Sequence, residues 1–185
     1  MVNAVAFGMA GLLLPLFVWF VAVYSNWELN QAELRGIAAV EFTGFITLFV
    51  MGLWHTIDDP FGGVVSIIFT AIPLLYGLLW LIAAITHWYG ADMKPLGETA
   101  LLLIPIQLIL IVTLFLVAGP ASWGIIIDPL IYAPFTLAGF YLFTHGFWMP
   151  AAKTYTGWIC LLATLATLHV MLIGSGIVAP FLPLI

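Results

Sequence analysis

Residues 74–95 read Leu-Leu-Tyr-Gly-Leu-Leu-Trp-Leu-Ile-Ala-Ala-Ile-Thr-His-Trp-Tyr-Gly-Ala-Asp-Met-Lys-Pro, and this stretch decides the fold. It is apolar over its first half and then ends in a short polar turn. Tyr76 and Trp80 lie four residues apart, so a helix places both rings on one face. Small residues follow one turn later, at 83–84. Such a helix either lines a narrow passage or packs against a neighbouring helix.

The composition of the chain is that of an integral membrane protein. Of its 185 residues, 65% are hydrophobic and only 6% are charged. Uncharged windows of about 20 residues match the length that a helix needs to cross a bilayer. We therefore predict one all-α membrane domain that covers residues 1–185. The formal net charge is −5, and the sequence contains no basic cluster suited to nucleic acid.

Six apolar stretches predict six transmembrane helices joined by short connections. They cover residues 4–24, 36–54, 64–88, 99–118, 125–147 and 156–180. Arg35, Lys94 and Lys153 fall in the first, third and fifth connections, and cationic connections stay on the cytoplasmic side. We therefore expect both termini to lie outside.

Glu41 is the most unusual residue of the predicted second helix, because apolar residues flank it at 38–40 and at Phe42. A carboxylate inside a membrane is costly, and such residues commonly have a function. Three roles stay open: binding a polar solute, holding a neighbouring helix, or reaching water near the inner interface. A proton-coupled transporter that uses Glu41 is one hypothesis.

The four histidines are His55, His87, His145 and His169. In the expected orientation, His87 and His145 both lie near the inner ends of their helices. Two opposed histidines at one depth can ligate a haem iron, so a haem-bearing or anchor subunit of a redox complex is an alternative function. A purely structural role explains the same histidines. The sequence has no nucleophile–base pair, phosphate loop or metal-ligand spacing, and we predict neither catalysis nor a cofactor.

Several aromatic residues are predicted to lie deep in the membrane, namely Tyr76 and Trp80 of the third helix and Phe135 and Phe140 of the fifth. Interfacial anchoring accounts for Trp and Tyr near the ends of a span, but not for these positions. They pack against lipid or in the core, or they line a slot for flat, neutral, polar solutes. Such a slot stacks a planar amide and offers an ion nothing to replace its water.

The chain resembles the urea/amide channel family of the AmiS/UreI type, small six-helix proteins encoded beside ureases and amidases. In residues 75–87 and 90–95 the family has an aromatic-rich third helix, then Ala-Ala, Asn and a Gly-x-Asp turn. The second similar place is Ala-Ala-Val-Glu-Phe-Thr-Gly at 38–44. The third is Pro-Ala-Ala-Lys-Thr-Tyr-Thr-Gly-Trp at 150–158, which leads into a sixth helix similar through Thr167.

This resemblance implies a homohexamer in a prokaryotic cytoplasmic (inner) membrane, with a pore inside each twisted six-helix bundle. Urea or short-chain amides would pass between two aromatic slots, and a cytoplasmic urease or amidase is a potential partner. In the fifth helix, Tyr132, Phe135 and either Phe140 or Tyr141 match the family's tryptophans. The positions that match the family's solute path are Ala10, Leu14, Glu41, Tyr76, Leu79, Trp80, Tyr132, Phe135, Phe140, Tyr141 and Thr167.

The sequence also departs from the family pattern. Glu41 and Phe17 stand where the family commonly has Asn, His169 replaces a Trp, and Ala163 replaces a carboxylate found in some urea-selective members. These departures leave open whether urea or an amide is the solute. The outer connections carry no histidine except His55 at a helix end, so we expect weak or absent acid gating.

Overall fold

The structure is a computed structural model that describes residues 4–24, 29–58, 62–118, 123–146 and 149–174. Every regular element within these ranges is an α-helix, which confirms the all-helical prediction for this part of the chain. The helices are α1 Ala4–Tyr24, α2 Gln31–Asp58, α3 Gly63–Tyr89, α4 Lys94–Ala118, α5 Trp123–Thr144 and α6 Met149–Gly174.

Four helices are long and apolar enough to cross a bilayer: Gln31–Asp58, Gly63–Tyr89, Lys94–Val117 and Pro150–Leu172. A shorter apolar helix covers Phe7–Val23 within α1. About 20 helical residues suffice to span the hydrocarbon core. The described part of the chain therefore has the helices of a membrane-embedded protein.

α2 begins five residues earlier than predicted, at Gln31 instead of 36. The Asn30 Oδ1 atom accepts hydrogen bonds from the N–H groups of Ala32 and Glu33, at 2.9 and 3.1 Å. Glu33 Oε2 in turn accepts one from the Asn30 N–H at 2.8 Å. This reciprocal capping box starts the helix ahead of its apolar part. As a result, Glu41 lies roughly 15 Å along α2 from its first residue.

α4 and α6 also begin earlier than predicted, at Lys94 and Met149. At α4, the Asp92 side chain accepts a hydrogen bond from the Lys94 N–H at 3.0 Å and caps the first turn. α5 runs from Trp123 to Thr144, slightly ahead of the predicted stretch. The end of the predicted sixth stretch, 175–180, lies outside the described residues.

The six helices pack as a closed ring. Each helix contacts the next one in the chain, from α1 to α6, and α1 also packs against α6. A ring of this kind has an inner side, which faces its axis, and an outer side.

α2, α4 and α6 begin at the same end of the ring. Gln31 Nε2 donates to the carbonyl oxygens of His87 and Trp88 in the last turn of α3, at 3.1 Å each. Gly97, near the start of α4, lies against Thr144 at the end of α5. This end, called here the basic end, carries Arg35, Lys94 and Lys153. The three basic residues thus share one end of the ring, as the prediction of their common side requires.

Glycines bring α1 and α2 into close contact. A Cβ atom on Gly44 would lie 2.6 Å from Pro15 Cγ and 2.7 Å from the Gly11 carbonyl oxygen. Gly8 likewise faces the side chain of Met51 with no room for a Cβ atom. Small residues permit this approach of two helix backbones. The contact sets the spacing between α1 and the part of α2 that carries Glu41.

α3 ends in a Schellman motif that fixes the backbone of its last turn. Gly90 has φ 64° and ψ 34°, a left-handed conformation that glycine adopts without a Cβ penalty. The Gly90 N–H donates to the His87 carbonyl oxygen at 3.4 Å, and the Ala91 N–H donates to the Thr86 carbonyl oxygen at 2.9 Å. These bonds end the helix two residues after His87, at Tyr89.

Two hydrogen bonds join α5 and α6. Tyr155 Oη donates to the Phe135 carbonyl oxygen, and Thr156 Oγ1 donates to the Gly139 carbonyl oxygen, both at 3.0 Å. The main core cluster then fills the ring from several helices. Its largest fully buried members include Leu48, Leu79, Trp80, Leu96, Leu137 and Phe140.

Candidate functional site

A cavity of about 190 Å³ lies at the basic end of the ring. Its walls include Trp19 of α1, Ile37 of α2, His87 of α3, Phe143 of α5 and Lys153 of α6. Five of the six helices therefore meet around this space, which is called the basic-end cavity below.

A buried carboxylate lies directly behind the wall of the basic-end cavity. The Glu41 side chain has no exposed surface, so the structure excludes the alternative that it reaches water. Its Oε2 atom lies 2.8 Å from His87 Nδ1, and its Oε1 atom lies 3.0 Å from the same nitrogen. Trp19 Nε1–H donates to Oε1 at 2.8 Å. Glu41 thus joins α1, α2 and α3 through hydrogen bonds.

His87 is the ionisable group in direct contact with Glu41. An unpaired carboxylate buried in an apolar medium is very costly. The pair has zero net charge in two forms. One is an ionised carboxylate beside an imidazolium, and the other is a carboxylic acid beside a neutral imidazole. A pair with a net charge would leave that charge uncompensated inside the bundle.

Both neutral forms of the pair leave a hydrogen on His87 Nε2. An imidazolium carries hydrogen on both ring nitrogens. If Glu41 holds the proton, it donates to Nδ1, and the neutral ring then carries its hydrogen on Nε2. No hydrogen bond to Nε2 is present among the described residues, and His87 lines the basic-end cavity. The pair therefore presents one N–H donor to a molecule in that cavity.

Aromatic rings close the ring interior beyond this cavity. The centroid of the Trp19 ring lies 4.7 Å from that of Phe140 and 5.8 Å from that of Phe143. Phe140 in turn lies 5.7 Å from Trp80 in an edge-on arrangement. Offset and edge-on pairs are the favoured geometries of aromatic rings. A chain of aromatic contacts thus leads from the wall of the cavity to the middle of α3.

Among the described residues of α3 and α4, three buried side chains hold polar atoms without a hydrogen-bond partner. They are Tyr76 Oη, Trp80 Nε1 and Gln107 Nε2. Buried polar groups are normally paired, and an unpaired one costs free energy unless water or a ligand satisfies it. The hydroxyl of Thr167, by contrast, donates to the Ala163 carbonyl oxygen of its own helix at 2.7 Å. The three unpaired groups are consequently the polar atoms that a solute inside the ring can satisfy.

The residues expected along the solute path fall into three groups by exposure: partly buried, buried and exposed. Ala10, Tyr132 and Tyr141 are partly buried, and the Tyr141 ring stacks on His145 with centroids 4.4 Å apart. The fully or nearly fully buried group consists of Glu41, Tyr76, Leu79, Trp80, Phe140 and Thr167.

Two of the expected path residues, Leu14 and Phe135, instead point away from the ring interior. Leu14 is 47% exposed, on the face of α1 opposite the buried Leu16 and Trp19. Phe135 is 52% exposed on α5, whereas Phe140 is buried on the inward face. Matching helices by sequence position alone does not fix their rotation, so a path role for these two residues remains a prediction.

The described residues leave no open passage through the middle of the ring. Leu79 and Ala83 have no exposed surface, and Trp80 and Phe140 are 1% exposed. The side chains of these four residues pack together in one core cluster. This conformation is therefore closed between the basic-end cavity and the opposite end of the described bundle.

Three residues of the site are absent from the path that the sequence predicts: Trp19, His87 and Gln107. The sequence indicates His87 only as a helix-end histidine or a haem ligand. A further signal is available, since a carboxylate within a membrane span requires a donor from another span. The sequence does not say which span provides it, because Trp19 and His87 lie 22 and 46 residues from Glu41.

The geometry argues against a haem between His87 and His145. His87 Nδ1 is bound to Glu41, and His145 Nδ1 lies 3.1 Å from the Tyr141 carbonyl oxygen. The lining of the basic-end cavity includes His87 but not His145, and about 190 Å³ is far too little for a porphyrin. Among the described residues, no group of three or more His, Cys, Asp or Glu side chains forms a metal site.

The fold and the site define a helical, membrane-embedded protein with a buried acid–histidine pair. No protein-family model, curated protein or solved structure matches the chain. Its function is therefore argued from the residues themselves.

Proposed function

We propose that the chain is a passive channel for urea or short-chain amides. In this proposal all six helices cross the cytoplasmic membrane of a prokaryote, with both termini outside and the basic end inside. The solute moves down its gradient without chemical change. The path runs along the axis of each ring, and the resemblance to the AmiS/UreI type favours a homohexamer beside a urease or amidase.

The observation that carries this proposal is the set of unpaired polar atoms within the aromatic interior. Tyr76 Oη and Trp80 Nε1 lie on one face of α3, and both are buried without a partner. A passing amide offers a carbonyl acceptor to such donors, and its planar group fits between rings. An ion gains too little from them to replace its hydration shell. The arrangement suits a flat, polar, uncharged solute.

The closed core is consistent with a channel that opens by small movements. Leu79 and Trp80 of α3 meet Phe140 of α5 within one core cluster. Side-chain rotations and small helix shifts occur on time scales from nanoseconds to milliseconds. Passage of a solute of a few atoms requires these rings to move apart only transiently.

Stopped-flow light scattering on proteoliposomes tests the proposed function. The purified chain should raise the permeability to urea or acetamide well above that of empty liposomes of the same lipid. Permeability to sodium ions should stay at the level of the empty liposomes. Urea and acetamide permeabilities equal to those of empty liposomes would refute the proposal.

A second candidate function is a proton-coupled transporter, and the buried Glu41–His87 pair favours it. Ionisable groups buried within membrane helices frequently relay protons. A membrane pH gradient separates the two functions, because it drives accumulation of solute in a coupled transporter and leaves passive equilibration unchanged. Accumulation above the external concentration, abolished by a protonophore, would favour the transporter.

A further inference from the structure

We infer that the basic-end cavity is a binding site for one short aliphatic amide, which it prefers over urea, and that His87 Nε2–H binds the carbonyl oxygen of the amide. This inference rests on the proposed function and adds a solute-recognition site to it. Glu41 acts as a positioning residue, since it contacts the histidine and not the solute.

The buried pair presents one N–H group to the cavity, and the polarity of this group selects the ligand. Because both neutral forms of the Glu41–His87 pair carry hydrogen on Nε2, the cavity offers a donor at this point. A donor selects a ligand with an oxygen acceptor, such as a carbonyl group. The Trp19 Nε1–H donor is already used by Glu41, so that the Trp19 ring presents its apolar surface to the cavity.

The walls of the basic-end cavity are largely apolar. Apart from His87 and Lys153, the lining consists of apolar side chains, among them Val23, Leu34 and Phe143. An alkyl group gains free energy from contact with such walls. Urea has no alkyl group, and it carries two NH₂ groups that need acceptors, whereas an aliphatic amide carries one. A site whose walls are apolar apart from His87 and Lys153 therefore favours the amide.

The volume of the basic-end cavity also limits the size of the ligand. A water molecule occupies about 30 Å³ of the liquid, so a cavity of about 190 Å³ corresponds to roughly six waters. Propionamide and butyramide, with five and six non-hydrogen atoms, each fit this space as a single molecule. Hexanamide, with eight non-hydrogen atoms, is expected to fit less well. We expect the site to prefer chains of about three or four carbons.

Equilibrium binding to the full chain in lipid nanodiscs tests the inference independently of flux. Ligand-observed saturation-transfer NMR with urea, acetamide, propionamide, butyramide and hexanamide gives relative affinities. We expect affinity to rise by about fourfold per methylene group up to butyramide, as the burial of one CH₂ predicts, and to fall at hexanamide. Equal binding of urea and propionamide, or no binding of any amide, would overturn the inference.

Two matched double variants test the role of His87 without leaving a buried charge. E41Q/H87Q retains a neutral N–H donor at position 87, whereas E41Q/H87L removes it. Propionamide should bind E41Q/H87Q within a few-fold of the original affinity and bind E41Q/H87L at least about tenfold more weakly. His145→Gln is the control outside the cavity and should leave binding unchanged. Equal propionamide affinity of the two folded double variants would overturn the role of Nε2.

The binding and flux experiments fail in distinguishable ways. Chain-length-dependent binding without any solute flux would leave the inference standing and remove the channel function. Urea and amide flux above the liposome background, with no binding preference between urea and propionamide, would leave the channel function standing and remove the inference.

Discussion

Glu41 is a carboxyl group without exposed surface that depends on two hydrogen-bond partners from other helices. His87 Nδ1 lies 2.8 Å away, and Trp19 Nε1 lies 2.8 Å away on the other carboxylate oxygen. Breaking a buried ion pair costs more than replacing both partners, because the remaining charge has no compensation. The pair is therefore a sensitive point for stability as well as for solute recognition.

This asymmetry predicts the outcome of a double-mutant cycle at positions 41 and 87. His87→Leu leaves the carboxylate buried and unpaired and should lower the free energy of unfolding by about 3–5 kcal/mol. Glu41→Gln combined with His87→Leu should recover a large part of that loss, since the introduced amide oxygen still accepts from Trp19 and carries no charge. Unfolding in detergent micelles, followed by circular dichroism, measures both. A double variant less stable than H87L would contradict the proposed charge compensation.

At the residue scale the sequence predicted the unusual position but not its partners. The apolar flanks of Glu41 single it out, and membrane energetics require a compensating donor. The identity of that donor depends on the depth and rotation of three helices, which no local pattern encodes. The same limit applies to Leu14 and Phe135, which are predicted to line the path and are about half exposed.

The contact between α1 and α2 places Trp19 within reach of Glu41. It is built on Gly8, Gly11 and Gly44, where each backbone faces a side chain or backbone of the other helix. A contact of this type is intolerant of added atoms, since the opposing group at Gly44 includes the Gly11 carbonyl oxygen and the buried Pro15 ring.

Gly44→Ala is therefore expected to destabilise the protein, by about 1–3 kcal/mol, as overpacking of a tight contact does. Gly36→Ala on the same helix is the matched control, because a Cβ atom there meets nothing within 4 Å. It should be neutral or stabilise the protein by roughly 0.5–1 kcal/mol through higher helix propensity. Thermal unfolding of both variants in the same detergent provides the comparison. Equal effects of the two substitutions would contradict the close contact.

At the element scale the apolar stretches predicted the helices well and their polar ends poorly. α1 has the predicted bounds, and α3 differs from its predicted stretch by one residue at each end. α2 and α4 extend into polar sequence because caps at Asn30 and Asp92 start them there. Hydropathy marks the membrane-facing part of a helix, whereas side-chain capping decides where the helix begins.

At the scale of the whole molecule the closed ring turns separate helices into one enclosed interior. The α1–α6 contact closes the ring, and the interior then contains aromatic rings and unpaired donors. The number of helices was predictable from hydropathy, but this closure depends on contacts between the two ends of the chain. The closure is what makes a path through one protomer conceivable.

The distribution of titratable groups gives a prediction for external pH. The proposed outer end of the bundle carries His55, which is buried and whose Nδ1 lies 3.0 Å from the Phe69 carbonyl oxygen. The His55 ring therefore has little contact with the outer solution. Urea and acetamide flux into proteoliposomes should change by less than about twofold between external pH 7 and 5. A steep rise over that interval would contradict this prediction.

In the proposed channel, solute passes the aromatic interior beside α3, and one comparison of permeabilities tests this path directly. Stopped-flow measurements on proteoliposomes compare Trp80→Ala, at a buried ring, with Trp54→Ala, at a ring that is 52% exposed on α2. We predict that Trp80→Ala changes the ratio of acetamide to urea permeability by about fivefold or more, while Trp54→Ala leaves it unchanged. The same ratio in both variants and in the original protein would contradict the claim.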